Sequence, residues 1–270
     1  MIRFEQVSKE YPDGTRAVEA FSAEVPTGNM LALVGSSGCG KTTLLRMVNR
    51  MVEPTAGRVM IDDDDVADVD PVQLRRSIGY VLQNAGLLPH RRVLDNILTV
   101  PRLRRDDLDA ARDRAHELME RVGLDAGLAQ RYPSQLSGGQ RQRVGVARAL
   151  IHKPNILLMD EPFGAVDPVV RADLQTLMRD LHAELGTTTV FVTHDISEAF
   201  ALADRIMILR EGATVAQEGT PEEILAAPAD AFVRSFIGVD AGQRTLHILT
   251  IDGAKVAVDA AGRVVGLVED

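Results

Sequence analysis

Cysteine and aromatic residues are scarce in this sequence, and long apolar runs are absent. The single cysteine, Cys39, excludes an internal disulfide framework and a zinc site built from several cysteines. Aromatic residues make up 4% of the 270 positions, and there is no tryptophan. No apolar stretch approaches the roughly 20 residues that a helix needs to cross a bilayer, and charged residues interrupt the first ten positions, unlike a secretory signal. We therefore expect any membrane role to depend on a separate membrane-embedded partner.

Basic residues are fewer than acidic residues. The chain has 30 Lys and Arg against 39 Asp and Glu, for a net charge of −9. Proteins that grip nucleic-acid backbones carry an excess of basic residues, so we predict no nucleic-acid partner. Hydrophobic residues make up 45% of the chain, the balance of a globular protein with a core, and its length allows one large domain with a small appendage.

Short apolar runs alternate with helical segments along most of the chain. Runs at residues 30–34, 156–159 and 189–192 predict strands that are buried on both faces. Alternating segments at residues 2–7 and 17–25 predict an antiparallel pair, whereas the pattern from about 85 to 155 is mostly helical. We therefore predict an α/β domain over residues 1–240, with an antiparallel β subdomain and a helical subdomain at about 85–155. Further expected elements are a helix at 42–51 and a strand at 213–217.

A glycine-rich motif lies between the first buried strand and the next helix. Residues 35–42 read GSSGCGKT, which matches the P-loop pattern G-x-x-x-x-G-K-[ST]. Glycines let the backbone curl so that several N–H groups face phosphate oxygens, and the helix adds the positive end of its dipole. In this motif the lysine contacts the β- and γ-phosphates and the hydroxyl ligates Mg²⁺. We assign these roles to Lys41 and Thr42.

Two adjacent carboxylates follow the predicted strand at residues 156–159. Alternation along a strand would send Asp160 and Glu161 in different directions. We therefore assign Asp160 to the Mg²⁺ shell and Glu161 to the γ-phosphate side, where it polarises the attacking water.

A third motif identifies the family that the sequence resembles. Residues 136–140 read LSGGQ, in which Ser137 can cap the following helix while Gly138 and Gly139 leave backbone N–H groups open to an anion. The motif lies about twenty residues before the Asp160–Glu161 pair. This combination, together with the P-loop, closely resembles the ATP-binding cassette (ABC) ATPases, whose core is a P-loop NTPase fold. The resemblance covers residues 1 to about 238.

The resemblance implies roles for individual residues, with ATP and Mg²⁺ as the cofactors. Tyr11 matches the aromatic residue that stacks on adenine, Gln83 the glutamine that senses Mg²⁺ and the γ-phosphate, and His194 the switch histidine. Asp167 matches the D-loop aspartate in GAVD, a departure from the usual SALD. The implied catalytic residues are Glu161, His194, Lys41 and Gln83, and the implied metal ligands are Thr42, Gln83 and Asp160. The implied nucleotide-binding residues are Tyr11, Gly35, Ser36, Ser37, Gly38, Cys39, Gly40, Lys41, Thr42, Thr43, Gln83, Ser137, Gly138, Gly139, Gln140, Asp167 and His194.

The resemblance also implies an assembly. In this family the LSGGQ residues of one subunit close over the ATP held by the P-loop of a second subunit. The implied partners are therefore a second copy of the chain, transmembrane permease subunits and an extracytoplasmic solute-binding protein. The implied location is the cytoplasmic face of the cell membrane.

Several local strings resemble the importer ATPases for quaternary-ammonium osmoprotectants, the glycine betaine, choline and carnitine group. They are IGYVLQ at 78–83, GLLPH at 86–90 and DNI at 95–97. Because a cassette does not touch the transported solute, import of amino acids or of another small polar solute stays open. A soluble ABC ATPase of DNA repair or translation is the alternative from another class. Such proteins usually carry two cassettes, a long coiled coil or basic surfaces, which this sequence lacks.

The last thirty residues differ from the cassette pattern. Residues 245–250, 255–258 and 264–268 predict three short strands, so we expect a short β-rich extension over residues 241–270. Residues 256–269 resemble a hairpin of a cystathionine-β-synthase (CBS) motif, of which only a fragment would fit. The alternative is a β extension that packs on the cassette or on its dimer mate.

Overall fold

Three β-sheets organise the chain in the computed structural model, which describes residues 1–164, 166–239, 246–251, 254–259 and 264–267. The strands are β1 Ile2–Glu10, β2 Arg16–Val25, β3 Met30–Gly35, β4 Ala56–Ile61, β5 Asp64–Asp65, β6 Ile78–Val81, β7 Ile156–Asp160, β8 Thr188–Thr193, β9 Arg205–Leu209, β10 Val215–Gly219, β11 Leu246–Ile251, β12 Ala254–Asp259 and β13 Val264–Leu267. The helices are α1 Lys41–Val48, α2 Pro71–Ser77, α3 Val93–Ile97, α4 Thr99–Arg104, α5 Leu108–Arg121, α6 Gly138–Leu150, α7 Pro168–Leu185, α8 Ile196–Leu202, α9 Pro221–Ala226 and α10 Ala231–Phe236.

The central sheet has six strands in the order β10-β9-β3-β8-β7-β6. All neighbours in it run parallel except β10, which pairs antiparallel with β9. Every residue of β3, β7 and β8 is buried, because helices and the second sheet cover both faces. This confirms the three buried strands that the apolar runs predict.

Parallel pairing brings the functional segments to one edge of this sheet. Val34 lies opposite Thr193, and Asp160 lies opposite Val192, so β3, β7 and β8 end at the same level. The residues that follow these strands therefore meet outside the carboxyl ends of the strands, where open α/β sheets bind their ligands.

The second sheet is antiparallel, with the order β2-β1-β4-β5. It packs its apolar face on α1 and one side of the central sheet, where Phe4 and Phe21 form an edge-to-face pair. The residues from α3 to α6 form the predicted mostly helical segment. Asn96 is fully buried in it and satisfies its amide by bonding the backbone of Leu88, Arg91 and Arg92.

Several predicted boundaries differ from the structure, and two of the differences have a clear cause in the backbone. Helix α1 ends at Val48, before the predicted limit of 51, because Arg50 has a left-handed φ of 54° that an α-helix cannot contain. The strand expected at 213–217 begins at Val215, because Glu211–Ala213 form a 3-10 turn in which Gly212 and Ala213 have positive φ. Neither shift moves a site residue.

The third sheet contains β11, β12 and β13 in antiparallel order, so three strands are present where three are predicted. The outer residues 245 and 268 of the predicted strands lie outside the described residues. Leu246, Ile248, Leu249 and Val265 are exposed on this sheet. None of the helices in the described part of the chain has both the length and the apolarity needed to cross a membrane.

Candidate functional site

The loop between β3 and α1 encloses a cavity of about 160 Å³, lined mainly by the loop itself together with Ala17 and Glu161. At two positions of the loop, close packing leaves room only for glycine. A Cβ on Gly40 would lie 2.2 Å from the carbonyl oxygen of Ala17, and its φ of +106° is one that side chains rarely adopt. A Cβ on Gly35 would lie 2.5 Å from the carbonyl oxygen of Leu209. Only glycine lets the backbone take this path around the cavity.

Lys41 places its charge beside this cavity. Its side chain is 5% exposed, and Nζ donates to the carbonyl oxygens of Gly35 at 2.8 Å and Ser36 at 2.7 Å. Nζ also lies 3.7 Å from Cys39 Sγ, and none of these three contacts is a carboxylate that would offset the positive charge. The arrangement is therefore suited to phosphate.

Cys39 contributes its backbone to the loop, while its thiol is buried on the core side, within 3.7 Å of Lys41 Nζ. The side chain is 2% exposed and belongs to the hydrophobic cluster behind the loop. The sulfur would lie 2.8 Å from a Cβ on Gly35, which places it on the core side of the turn. Any contact of Cys39 with a ligand in the cavity would therefore be through its backbone.

Thr42 and Asp160 form a pair of oxygen donors at the edge of the cavity. Thr42 Oγ1 donates to Asp160 Oδ1 at 3.0 Å. Hydroxyl and carboxylate oxygens are the donors that Mg²⁺ prefers, and this ion usually takes only one or two carboxylates, with phosphates and waters completing its shell. The described residues contain no cluster of three or more His, Cys, Asp or Glu able to hold a metal alone. The donor set therefore fits a Mg²⁺ ion that arrives with a nucleotide.

The second oxygen of Asp160 has neighbours that the sequence reasoning missed. Arg46 NH2 lies 3.5 Å from Asp160 Oδ2, and the Tyr80 hydroxyl lies 3.4 Å from the same oxygen. Burial, followed by the negative charge of Asp160, raises the pKa of Tyr80 to about 12, so the phenol keeps its proton at neutral pH. Arg46 follows Thr42 by four residues on α1, a helical spacing that could have indicated a shared face.

Glu161 departs from the predicted strand geometry. Strand β7 ends at Asp160, and Glu161 has a left-handed φ of 45° while its N–H donates to the carbonyl of Val192 at 3.0 Å. The separation of the two carboxylates therefore comes from this backbone turn rather than from the predicted strand alternation. A non-glycine residue in this region is held there by its surroundings at a cost of about 1–3 kcal/mol, and such strain is often found at functional sites.

Gln83 and His194 flank the Glu161 carboxylate. Gln83 Nε2 donates to Glu161 Oε2 at 2.7 Å, and His194 Nδ1 lies 3.4 Å from Glu161 Oε1. Because Glu161 also lines the cavity, its carboxylate can accept a hydrogen bond from a water molecule beside an anion held there. The structure therefore brings together the P-loop, Asp160, Glu161, Gln83 and His194.

The LSGGQ segment is well formed but lies apart from this cavity. Ser137 Oγ accepts from the N–H of Gln140 at 3.2 Å, and Gln140 Oε1 accepts from the N–H of Ser137 at 2.9 Å, which is a capping box. A Cβ on Gly139 would lie 2.3 Å from Val170 Cγ1, so the segment packs on the first turn of α7. Asp167 caps that helix by accepting from the N–H of Val170. Among the described residues that line the cavity, none is Tyr11, Asp167 or a residue of the LSGGQ segment.

Several known proteins with similar sequences are named as ATP-binding proteins of transport or import. A family profile described as ABC transporter matches residues 18–164. The chain is 49% identical over 240 residues to the carnitine transport ATP-binding protein OpuCA of Listeria monocytogenes, which covers 89% of this chain and 60% of that protein. It is 45% identical over 264 residues to the osmoprotectant import ATP-binding protein OsmV of Salmonella typhimurium, which covers 96% of this chain and 68% of that protein. The chain thus spans about three fifths of the length of OpuCA.

Two further similarities bear on cargo and assembly. The sulfate/thiosulfate import ATP-binding protein CysA 2 of Agrobacterium fabrum is 47% identical over 242 residues, with 88% of this chain and 69% of that protein covered. Among solved structures, a dimeric ATP-binding cassette in a post-hydrolysis state, bound to ADP and Pi, gives a TM-score of 0.75 at 34% identity. That match covers 82% of this chain and 99% of the solved chain.

Proposed function

Because this chain belongs to the ABC transporter family, we propose that it is the ATP-hydrolysing subunit of an importer for a quaternary-ammonium osmoprotectant of the glycine betaine, choline or carnitine type. It works as a dimer on the cytoplasmic face of the membrane, attached to transmembrane permease subunits. A solute-binding protein outside the membrane delivers the cargo.

One observation supports the hydrolytic role above all others: Glu161 reaches the phosphate cavity between Gln83 and His194. In the proposed reaction Lys41 contacts the β- and γ-phosphates, and the loop N–H groups hold the remaining phosphate oxygens. Glu161 orients the attacking water, while Gln83 and His194 hold its carboxylate in place. Thr42 and Asp160 would hold Mg²⁺, which would supply neutralisation of phosphate charge.

The position of the LSGGQ segment supports the dimer. Its helix N-terminus presents the backbone of Gly138 and Gly139, yet this segment does not line the cavity of its own chain. A second copy related by two-fold symmetry would bring the segment over the P-loop of its neighbour, twice. ATP would then lie between the two chains and hold them together, and hydrolysis would loosen the pair.

The cargo is proposed from the similar transport proteins. OpuCA and OsmV are named for carnitine and osmoprotectant import, respectively. CysA 2 is named for sulfate and thiosulfate import at nearly the same identity, which agrees with a cassette that does not itself select the solute. Import of amino acids or another small polar solute is therefore the second candidate.

Two measurements test the proposal. Phosphate release by the purified chain with MgATP, compared with Glu161→Gln, tests hydrolysis. For the cargo, cells with and without this chain are compared for uptake of radiolabelled glycine betaine, choline and carnitine at high osmolarity, with sulfate and glutamate as controls. Loss of uptake of only the control solutes would refute the osmoprotectant assignment.

A further inference from the structure

His194 has little packing of its own to fix its orientation. Its side chain is 61% exposed, and the ring contacts Glu161 at 3.4 Å. An exposed imidazole can adopt several rotamers, so a defined contact with Glu161 requires a well-fixed backbone beneath it. The turn between β8 and α8 must supply that support.

Two buried polar side chains organise this turn. Thr193 and Glu198 are 1% and 4% exposed. Thr193 Oγ1 donates to Glu198 Oε2 at 2.5 Å and accepts from the N–H of Asp195 at 3.0 Å. The residues on both sides of His194 are therefore linked through one hydroxyl group, whose direction is fixed by the Glu198 carboxylate.

Glu198 is costly to bury, and the proposed reaction does not use it. Burial raises its pKa, against the hydrogen bond from Thr193, which lowers it. A buried carboxylate is weak evidence for added stability, because desolvation offsets most of what its contacts contribute. Its contacts within the turn point instead to a positioning role.

Arg171 connects this turn to helix α7. Its NH1 lies 3.7 Å from Asp195 Oδ2, and its Nε lies 3.9 Å from Glu198 Oε1. Helix α7 is capped by Asp167, the residue that the family resemblance assigns to the D-loop. A displacement of α7 would therefore be transmitted to the turn that carries His194.

We infer that Thr193, Glu198 and Arg171 form a positioning cluster that holds the imidazole of His194 against Glu161 and couples it to α7. The role of the cluster in hydrolysis rests on the proposed ATPase function. These are positioning residues, since they act through His194 and do not touch the reacting atoms.

The main test compares Thr193→Val, which keeps the shape but removes the hydroxyl, with Thr193→Ser, which keeps the hydroxyl. We expect Thr193→Val to lower kcat about tenfold with KM for ATP unchanged, since a small misplacement of a catalytic group is costly, and Thr193→Ser to retain most of the activity. In a His194→Ala background Thr193→Val should cause no further loss, because both changes act through the same side chain. An equal loss in both backgrounds would overturn the inference.

A second readout does not depend on hydrolysis. The chain contains six histidines, so ¹⁵N-histidine NMR spectra are simple, and the His194 signals are those that disappear in His194→Ala. The Thr193→Val change should shift them and Thr193→Ser should not. Unshifted signals would refute the cluster, whereas an inactive wild-type chain would refute only the proposed ATPase.

If Thr193→Val does not fold, Arg171→Met tests the same cluster, because this side chain is one-third exposed and its loss should be tolerated. We expect a fall in kcat of about threefold that disappears in the His194→Ala background. Unchanged kcat together with unshifted His194 signals in this variant would also overturn the inference.

Discussion

The P-loop and the LSGGQ segment both lead into a helix N-terminus, but the two helices differ in whether a side chain caps their first backbone N–H groups. Helix α1 begins after Gly40 with no side-chain cap, so its first N–H groups are left for a ligand. Helix α6 is capped by Ser137, and the Gln140 side chain accepts a hydrogen bond from the Ser137 N–H. The P-loop therefore leaves backbone donors free, whereas the LSGGQ segment is a capped helix end, for which we propose a nucleotide presented by another chain.

The largest expected effect is on the P-loop side. Glu161→Gln keeps the size of the side chain but removes the charge that orients water, so kcat should fall by about 10²–10⁴, the range for a general base. Nucleotide binding should persist, and MgATP should trap the dimer. Phosphate release and size-exclusion chromatography measure both, with Glu222→Gln on the exposed start of α9 as control. Wild-type turnover in Glu161→Gln would remove Glu161 from the reaction.

The next largest effect is expected on nucleotide affinity rather than on turnover. Lys41→Ala removes the ammonium group beside the cavity, so MgATP affinity should fall about 10- to 100-fold, as for a lost hydrogen bond to a charged group. Isothermal titration measures the change. The exposed Lys153, far along the chain from the loop, provides the control as Lys153→Ala. Equal affinity for Lys41→Ala and the wild-type chain would contradict the placement of phosphate in this cavity.

Mixing two defective chains tests whether each nucleotide site combines the P-loop of one chain with the LSGGQ segment of the other. Lys41→Ala impairs the P-loop side, and Ser137→Ala removes the cap of the LSGGQ helix. If each site combines the P-loop of one chain with the LSGGQ segment of the other, a heterodimer contains one intact site. A 1:1 mixture should then recover up to about a quarter of wild-type activity, since half of the dimers are mixed and each has one working site. No recovery would mean that each chain completes its own site.

The parts of the site that the sequence predicts are those formed by neighbouring residues. The P-loop and the Asp160–Glu161 pair could be predicted from the sequence because each motif directly follows an apolar run, whereas His194 was assigned through the family resemblance. The structure shows that parallel strands place all three at one edge of the sheet. The Ser137 cap could be predicted because it depends only on residues next to it in the sequence. Contacts between segments that are distant in the sequence could not be predicted, because apolar periodicity does not determine which side chains meet. Tyr80 beside Asp160 and Gly139 against Val170 are two such contacts.

The left-handed backbone of Glu161 was beyond prediction for another reason. Non-glycine residues rarely adopt positive φ, and nothing in the local sequence marks this position as an exception. The bond from its N–H to Val192 on β8 is a tertiary contact that stabilises this conformation. The roles of the two carboxylates were thus predicted from a strand geometry that the chain does not use.

A smaller effect is expected at the metal side of the P-loop site. Tyr80→Phe removes only the hydroxyl that lies 3.4 Å from Asp160 Oδ2. Loss of one weak hydrogen bond, on the order of 0.5–1.5 kcal/mol, should raise the Mg²⁺ concentration needed for tight ATP binding about threefold. A fluorescent ATP analogue titrated at several Mg²⁺ concentrations measures this, with the exposed Tyr132→Phe as control. An unchanged Mg²⁺ requirement would show that Tyr80 does not support Asp160.

The smallest effect on chemistry is expected from removal of the third sheet. Strands β11, β12 and β13 pair with one another, and the two hydrophobic clusters of the cassette are built from described residues no later than Val239. A chain truncated after Asp240 should therefore fold and hydrolyse ATP, with a Tm within about 3 °C of the full chain, the shift that corresponds to ~1 kcal/mol at this size.

Three short strands with exposed Leu246 and Ile248 need a surface to cover them, and we predict that the second cassette provides it. Truncation should then weaken the dimer, which analytical ultracentrifugation with MgATP measures in the Glu161→Gln background. Loss of folding would place the sheet in the core, and an unchanged dimer would exclude it from the interface.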